Sequence, residues 1–333
     1  MHMADGLISP AVAGVMCAAS AAAVVYSVKK VREEDNAKKI PLMGIMGAFV
    51  FAVQMINFTI PGTGSSGHLC GGLLLSAILG PYAGFLAMVS ILIIQCLMFA
   101  DGGLLALGCN IWNMAFYGCF IGYLYVYKPI VKSGTSTGKI IAGSVLGSVI
   151  GLQAGAISVV IETILSGVTN IPFAAFAALM QPIHLAIGVC EGLITAAVLT
   201  FVHNARPELL SGANAADSHI SYRKTLVILA SAAILAAGGL SLAASENPDG
   251  LEWSIKKLTE ATEIQGDGAV YNKAAEIQDR TSVLSDYAFP ESDSAAGGSV
   301  SGLLGCGAVA AVCIGGCYMF KMFRRKKGSE TNA

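Results

Sequence analysis

The chain has 333 residues, 55% of them hydrophobic and 12% charged, with a formal net charge of -1 and a mean hydropathy of +0.68. A soluble domain of this size does not hide so much apolar surface behind so few charges. The soluble globular classes are therefore excluded, and an all-α polytopic membrane protein remains.

The chain opens Met1-His2-Met3-Ala4-Asp5-Gly6. The first apolar run, 8–28, has Asp5 before it and Lys29, Lys30 and Arg32 after it, the reverse of a signal peptide's flanks. Further apolar runs follow at 42–60, 69–82, 84–100, 104–127, 139–163, 175–202, 225–244 and 300–320. The run 69–82 is short for a regular span and is expected to be tilted, broken or sunk within the bundle. Gly143, Gly147, Gly151 and Gly155 recur every four residues in 139–163, making a smooth ridge for a close helix partner. The nine cysteines lie in or beside apolar stretches and read as hydrophobic filler rather than a disulfide scaffold.

Basic residues cluster in 29–39, around 128–139, at Arg206, Arg223 and Lys224, and in the tail at Lys321, Arg324, Arg325, Lys326 and Lys327. Nine spans with the N-terminus outside put all four clusters, and the C-terminus, in the cytoplasm. Segment 245–299, with eleven acidic and four basic residues, then falls outside. The expected organisation is a seven-helix substrate-binding bundle over 1–204, a cytoplasmic linker over 205–224, and two additional transmembrane helices in 225–333 flanking the extracellular insert. Helices are expected in that insert near 251–265 and 270–287.

On this topology Met1, His2 and His68 emerge together on the outer side. An unblocked Met1 amine and the His2 backbone nitrogen close a five-membered chelate ring, and that backbone nitrogen with His2 Nδ1 closes a six-membered one. His68, in a Gly/Ser-rich loop, supplies a fourth nitrogen. A flat four-nitrogen set suits Ni(II) or Cu(II) better than zinc, which prefers a tetrahedron. The amine's low reference pKa, about 7.7–8, makes its proton easy to displace near neutral pH. Two blander readings stand beside this one: His2 as a frayed polar end, and His68 as a hydrogen-bonded interface histidine.

Gln54 and Asn57, placed together on one helix, and Ser66, Asp101 and Asn110 are candidates to orient the metal loop or a ring nitrogen. The same residues also read as packing hydrogen bonds. Asn113 shares a helix face with Asn110. His184, Glu191 and Glu162 are intramembrane ionisable groups, read either as a relay site or as neutral or paired structural residues. His203 and His219 read as cytoplasmic. Gly134-Thr135-Ser136-Thr137-Gly138-Lys139-Ile140 has the wrong glycine spacing for a phosphate loop and lacks the Ser/Thr for Mg²⁺, so no ATP site is expected in this chain. No nucleophile–base set points to an enzyme.

Met1-His2-Met3-Ala4-Asp5-Gly6, Gln54-Met55-Ile56-Asn57-Phe58, Ser66-Gly67-His68-Leu69, Phe99-Ala100-Asp101-Gly102-Gly103-Leu104 and Ile183-His184-Leu185 with Glu191-Gly192 together resemble one family. It is the substrate-binding membrane component of cobalt/nickel energy-coupling factor (ECF) transporters, the CbiM/NikM family, and the resemblance covers 1–204. Residues 225–333, with Pro248-Asp249-Gly250-Leu251-Glu252, resemble the PDGLE-containing small accessory component (NikN/CbiN-like), here fused. The resemblance implies metal held by the Met1 amine, the His2 amide and imidazole, and His68. It implies as partners a transmembrane coupling subunit and two cytoplasmic ATPases in the cell membrane, with uptake driven by ATP. Nickel is the first expectation and cobalt the second. A stand-alone gated channel or ion-driven carrier, and a metal sensor, are the alternatives of a different class.

Overall fold

The computed structural model describes residues 1–34, 39–211, 220–289 and 296–330. His219, Lys38 and the middle of the expected linker lie outside the described residues. Among the described residues five helices are long and apolar enough to cross a membrane: Pro10–Glu34, Pro81–Phe99, Thr137–Ser166, Phe173–Ala205 and Ala296–Gly316. These belong to α1 (Pro10–Glu34), α4 (Pro81–Phe99), α7 (Thr137–Ser166), α8 (Phe173–Ala205) and α13 (Ala296–Glu330).

The remaining expected spans are shortened or reshaped. α2 (Lys39–Gln54) stops six residues before the expected end at 60, because Asn57, Pro61, Gly62 and Gly64 favour turns. A two-stranded antiparallel hairpin follows, β1 (Phe58–Ile60) and β2 (Ser65–Gly67), pairing Phe58 with Gly67 and Ile60 with Ser65. It is the one departure from an all-helical fold among the described residues. α3 (Gly72–Leu79) has only eight residues, all buried, so the short apolar run is sunk inside the bundle. Gly80 adopts φ 84°, a left-handed conformation, and Pro81 begins α4.

α5 (Leu107–Asn110) runs into a π-helix, π1 (Ile111–Tyr127), which continues as α6 (Lys128–Lys132). The glycine ridge of α7 finds its partner here, within the chain. Gly155, Gly151, Gly147 and Gly143 lie against Asn113, Gly118, Gly122 and Tyr127 in turn. The four- and five-residue steps on π1 match the four-residue steps on α7, which is possible because a π-helix is wider than an α-helix. α7 also packs antiparallel on α8, with Gly188 against Val149 and Gly192 against Val145.

The C-terminal part consists of α9 (Glu208–Ser211), α10 (Tyr222–Gly238), α11 (Gly250–Thr259), α12 (Ala269–Thr281) and α13. α13 docks on α2 through small residues: a side chain at Gly305 would strike the Phe51 ring, and the Cys306 thiol donates to the Ala48 carbonyl at 3.3 Å. α11 and α12 are shorter than the expected helices, since Glu260 terminates α11 in a left-handed conformation and Gly266 and Gly268 separate the two. They lie over the end of the bundle where Met1 and His68 emerge. All described cysteines are free.

Candidate metal centre

The chain start is buried rather than frayed. Met1 is 6% exposed and Met3 fully buried. Asn110 clamps the backbone of Met3 on both sides, accepting from its N–H at 2.7 Å and donating to its carbonyl at 3.2 Å. The Gly103 N–H donates to the same carbonyl at 2.8 Å. Asp5 receives the N–H groups of Leu105 and Ala106 at 2.9 and 3.0 Å. The cradle needs glycine at 102: its φ is 82°, and a Cβ there would sit 2.7 Å from Asn110 Nδ2 and 3.2 Å from His2 Cβ.

His68 follows β2. Its Nδ1 donates to the Leu69 carbonyl at 3.1 Å, which leaves Nε2 as a bare acceptor. That Nε2 lies 3.2 Å from the Met1 amine. The ring stacks on His2 with centroids 5.5 Å apart and planes 14° from parallel. Behind it, the Glu191 carboxylate accepts the N–H groups of Cys70 and Gly71 at 2.9 and 3.2 Å, fixing the backbone after His68. Burial, reinforced by the Met1 amine and His2, pushes the His68 imidazole down to about 3, so it is neutral at physiological pH.

The structure brings together the amine, the two imidazoles and their candidate supports, with one difference from the expected chelate. His2 Nδ1 faces Asp101 Oδ1 at 3.0 Å instead of turning to Met1, and Nε2 faces Gln95 Oε1 at 3.2 Å. Gln54 acts at one remove, accepting from Gln95 at 2.9 Å and donating to the Cys70 carbonyl at 2.7 Å. Asn57 does not share a helix with Gln54, because α2 ends at Gln54. Its carbonyl accepts from the Ser245 N–H. Ser66 serves the fused segment: its N–H donates to the Pro248 carbonyl at 2.8 Å and its hydroxyl to the Asn247 carbonyl at 2.7 Å.

Sequence reasoning missed Asp249 and Gln95 as site residues. Asp249 is the N-cap of α11 in a capping box with Glu252. One oxygen accepts the N–H groups of Leu251 and Glu252 at 2.7 and 2.9 Å, and the other receives the Met1 amine. In the sequence Asp249 stood out only as part of the Pro248-Asp249-Gly250-Leu251-Glu252 motif of the fused segment. Burial, the largest influence on the amine, favours its neutral form. The Asp249 carboxylate beside it, with Asp101 and Glu252, outweighs burial and raises the amine above its ordinary 8.0. The expectation of an easily displaced proton is corrected accordingly: a metal has to compete with an ion pair. Burial works likewise against the Asp249 carboxylate, but the amine and His68 hold it well below the usual range. Asp101 is brought to about 2, burial being overcome by His2 and by Tyr287, whose hydroxyl donates to it at 2.6 Å.

The rest of the fused segment is tied to the same cradle. Gln278 donates to the carbonyls of Gly102 and Cys96 at 2.7 and 3.0 Å, Tyr271 to that of Ile8 at 2.8 Å, and Trp253 Nε1 to that of Thr63 at 3.0 Å. Among the described residues no three His, Cys, Asp or Glu side chains form a ligand cluster.

Residues 2–209 match the family of the cobalt uptake substrate-specific transmembrane region (CbiM), and residues 223–322 match the PDGLE domain. The chain is 35% identical to the putative fused nickel transport protein NikMN of Archaeoglobus fulgidus over 92% of its own length and 94% of the relative's. It is 31% identical to the fused nickel transport protein NikMN of Rhodobacter capsulatus, over 72% and 74% of the two chains. Against the cobalt transport protein CbiM of Geobacter sulfurreducens the identity is 29%, over 78% and 77%. A crystal structure of a truncated transition metal transporter superposes with a TM-score of 0.54 at 32% identity, covering 61% of this chain and 98% of that one.

Proposed function

The chain belongs to the cobalt uptake substrate-specific transmembrane family, with a PDGLE domain fused behind it, and from that premise we propose that it captures Ni²⁺ at the outer membrane face for ATP-driven uptake. It is a multi-pass membrane component of nickel or cobalt transport. The proposal adds the ion, the energy source and the site. The ATP would be spent by partners, a transmembrane coupling subunit and two cytoplasmic ATPases. Seven helical segments of 1–204 form the binding unit, 205–224 links it on the cytoplasmic side, and 225–333 spans twice around an outer insert.

The observation that carries the reading is the 3.2 Å approach of His68 Nε2 to the Met1 amine, with the His2 ring stacked alongside. With Met1 as the chain start, amine, His2 amide, His2 Nδ1 and His68 Nε2 make four nitrogen donors. Closing the set needs two exchanges: the amine leaves Asp249, and His2 Nδ1 turns away from Asp101. Both carboxylates then stand beside a dication and balance its charge. A planar nitrogen field favours Ni²⁺ in its low-spin d⁸ state, with Co²⁺ the competitor using the same donors.

The test is the metal content and visible absorption of the purified chain and of His2→Ala. A yellow, diamagnetic nickel form present in the first and lost in the second is expected. Sustained concentrative uptake by this chain without ATPase subunits would overturn the proposed energy coupling.

A further inference from the structure

Beside Met1 and His68 the bundle holds a third imidazole, which the four-nitrogen set does not use. His184, on α8, is 1% exposed. Its Nδ1 donates to the Met180 carbonyl at 2.8 Å, and its Nε2 has no hydrogen-bond partner. A carbonyl only accepts, so this ring carries its proton on Nδ1 and a bare lone pair on Nε2. The arrangement repeats that of His68, and it is the one in which metal-ligating histidines are held.

His184 lines a cavity of about 20 Å³ together with Met1, His68, Cys70, Met114 and Asp249. Gly250 of the fused segment presses on the ring from above: a Cβ there would lie 3.2 Å from Nε2. A smaller cavity of about 10 Å³ continues inward, sharing Cys70 and Met114 and reaching Asn113, Ser148 and Glu191. Asn113 Oδ1 and Ser148 Oγ are unpartnered there, as are Ser144 Oγ and Thr195 Oγ1 further along the same helices. Buried polar atoms left without partners are few in native folds and call for a reason. Asn113 and Ser148 line the smaller cavity, and Ser144 and Thr195 stand about one turn beyond Ser148 and Glu191 on α7 and α8. No Lys or Arg lines either cavity.

We propose that His184 is a second, transient ligand for the transported ion, receiving it through Nε2 as it leaves the outer nitrogen set for the interior of the bundle. An imidazole nitrogen suits a borderline transition-metal dication, whereas Mg²⁺ and Ca²⁺ take oxygen ligands. The inference rests on the proposed function and deepens it, since it gives the ion a route through the bundle. His184 shares its cavity with Met1 and His68, so the transfer is a single short step from one site to the next.

The experiment compares His184→Gln and His184→Cys in the full chain. Purified, both variants are expected to bind Ni²⁺ at the outer set with unchanged affinity and absorption. Reconstituted in vesicles with the coupling and ATPase subunits, His184→Gln is expected to lose at least about tenfold in uptake rate, while His184→Cys, whose thiol is a ligand, recovers most of it. A readout independent of transport uses Co²⁺ absorption in the His2→Ala background: a residual weak site should be present and should vanish when His184→Gln is added. Uptake by His184→Gln at the unsubstituted rate overturns the inference. So does equal impairment of both variants, which is the result for a histidine that only hydrogen-bonds a buried water. Loss of outer-site Ni²⁺ binding in His184→Gln, or residual Co²⁺ absorption indifferent to it, also overturns it. Failure of the unsubstituted chain to bind Ni²⁺ instead overturns the outer site itself, and this step with it.

Discussion

Asp249 closes on the amine of Met1 across 248 positions of sequence, so the first residue of the binding unit and the helix cap of the fused segment form one ion pair. The pair makes the PDGLE segment part of the candidate metal centre rather than a neighbour of it. The carboxylate stands at the amine where the ion is proposed to bind.

Substituting Asp249 removes that partner and the cap of α11 together. Asp249→Ala is expected to destabilise the metal-free protein by about 3–5 kcal/mol, the range for breaking a buried ion pair, read as a lower melting temperature in detergent. Asp249→Asn keeps an acceptor for the Leu251 and Glu252 N–H groups and is expected to cost less. Equal melting of all three proteins would show that the pair contributes nothing.

The two partners set opposite pH limits. The amine is raised above 8.0, so its contribution is complete below that value and is lost as pH rises through the raised one. The carboxyl is depressed below 3.8, so its contribution is complete above that value and is lost as pH falls through the depressed one. Docking of the fused segment in the metal-free state is therefore expected to be firmest between about pH 4 and 8. Metal binding runs the other way, because the ion displaces the amine proton: Ni²⁺ affinity should rise at least roughly tenfold per pH unit from 6 to 8. His68, already neutral at about 3, adds no slope in that range. A titration of Ni²⁺ absorption at three pH values checks this, and a flat affinity would contradict it.

Asn110→Ala removes both hydrogen bonds that hold the Met3 backbone and so releases the chain start. A loss of roughly 10–100-fold in Ni²⁺ affinity is expected, measured by competition with a chelating dye. Asn110→Asp keeps the acceptor for the Met3 N–H but not the donor, and should fall between.

Gly155→Ala tests the seam between α7 and π1. A Cβ there would lie 2.4 Å from the Asn113 carbonyl oxygen, so one helix has to shift. The expected cost is about 1–3 kcal/mol, seen in thermal melts. Gly14→Ala on α1 is the control, since nothing lies within 4 Å of its Cβ and the helix gains propensity.

Much of the centre was legible in the residues. The opening Met1-His2, the isolated His68 between apolar runs, and Asn110 and Asp101 as supports are brought to one place. Gln54 was legible only as a polar residue near the loop, because its effect passes through Gln95, which periodicity places on a buried helix face like any other. Asn57 was misplaced because a turn after Gln54 competes with an apolar run that reads as helix to residue 60. The π-helical stretch left no signal, since its width answers the glycines of α7 rather than its own residue types.

What the sequence alone determined is the solvent this protein lives in and the donor atoms it can offer: apolar runs force the chain into a bilayer, and backbone and imidazole nitrogens near its start are fixed by covalent order. What the tertiary structure decided is which charges meet those donors. Asp249, Asp101 and Gln95 reach them from three separate segments. Only the packing of α11 over the bundle mouth, of the 100–110 loop around Met3, and of α4 beneath them sets those distances. Local periodicity describes which face of a helix is buried; it carries no record of what is buried against it.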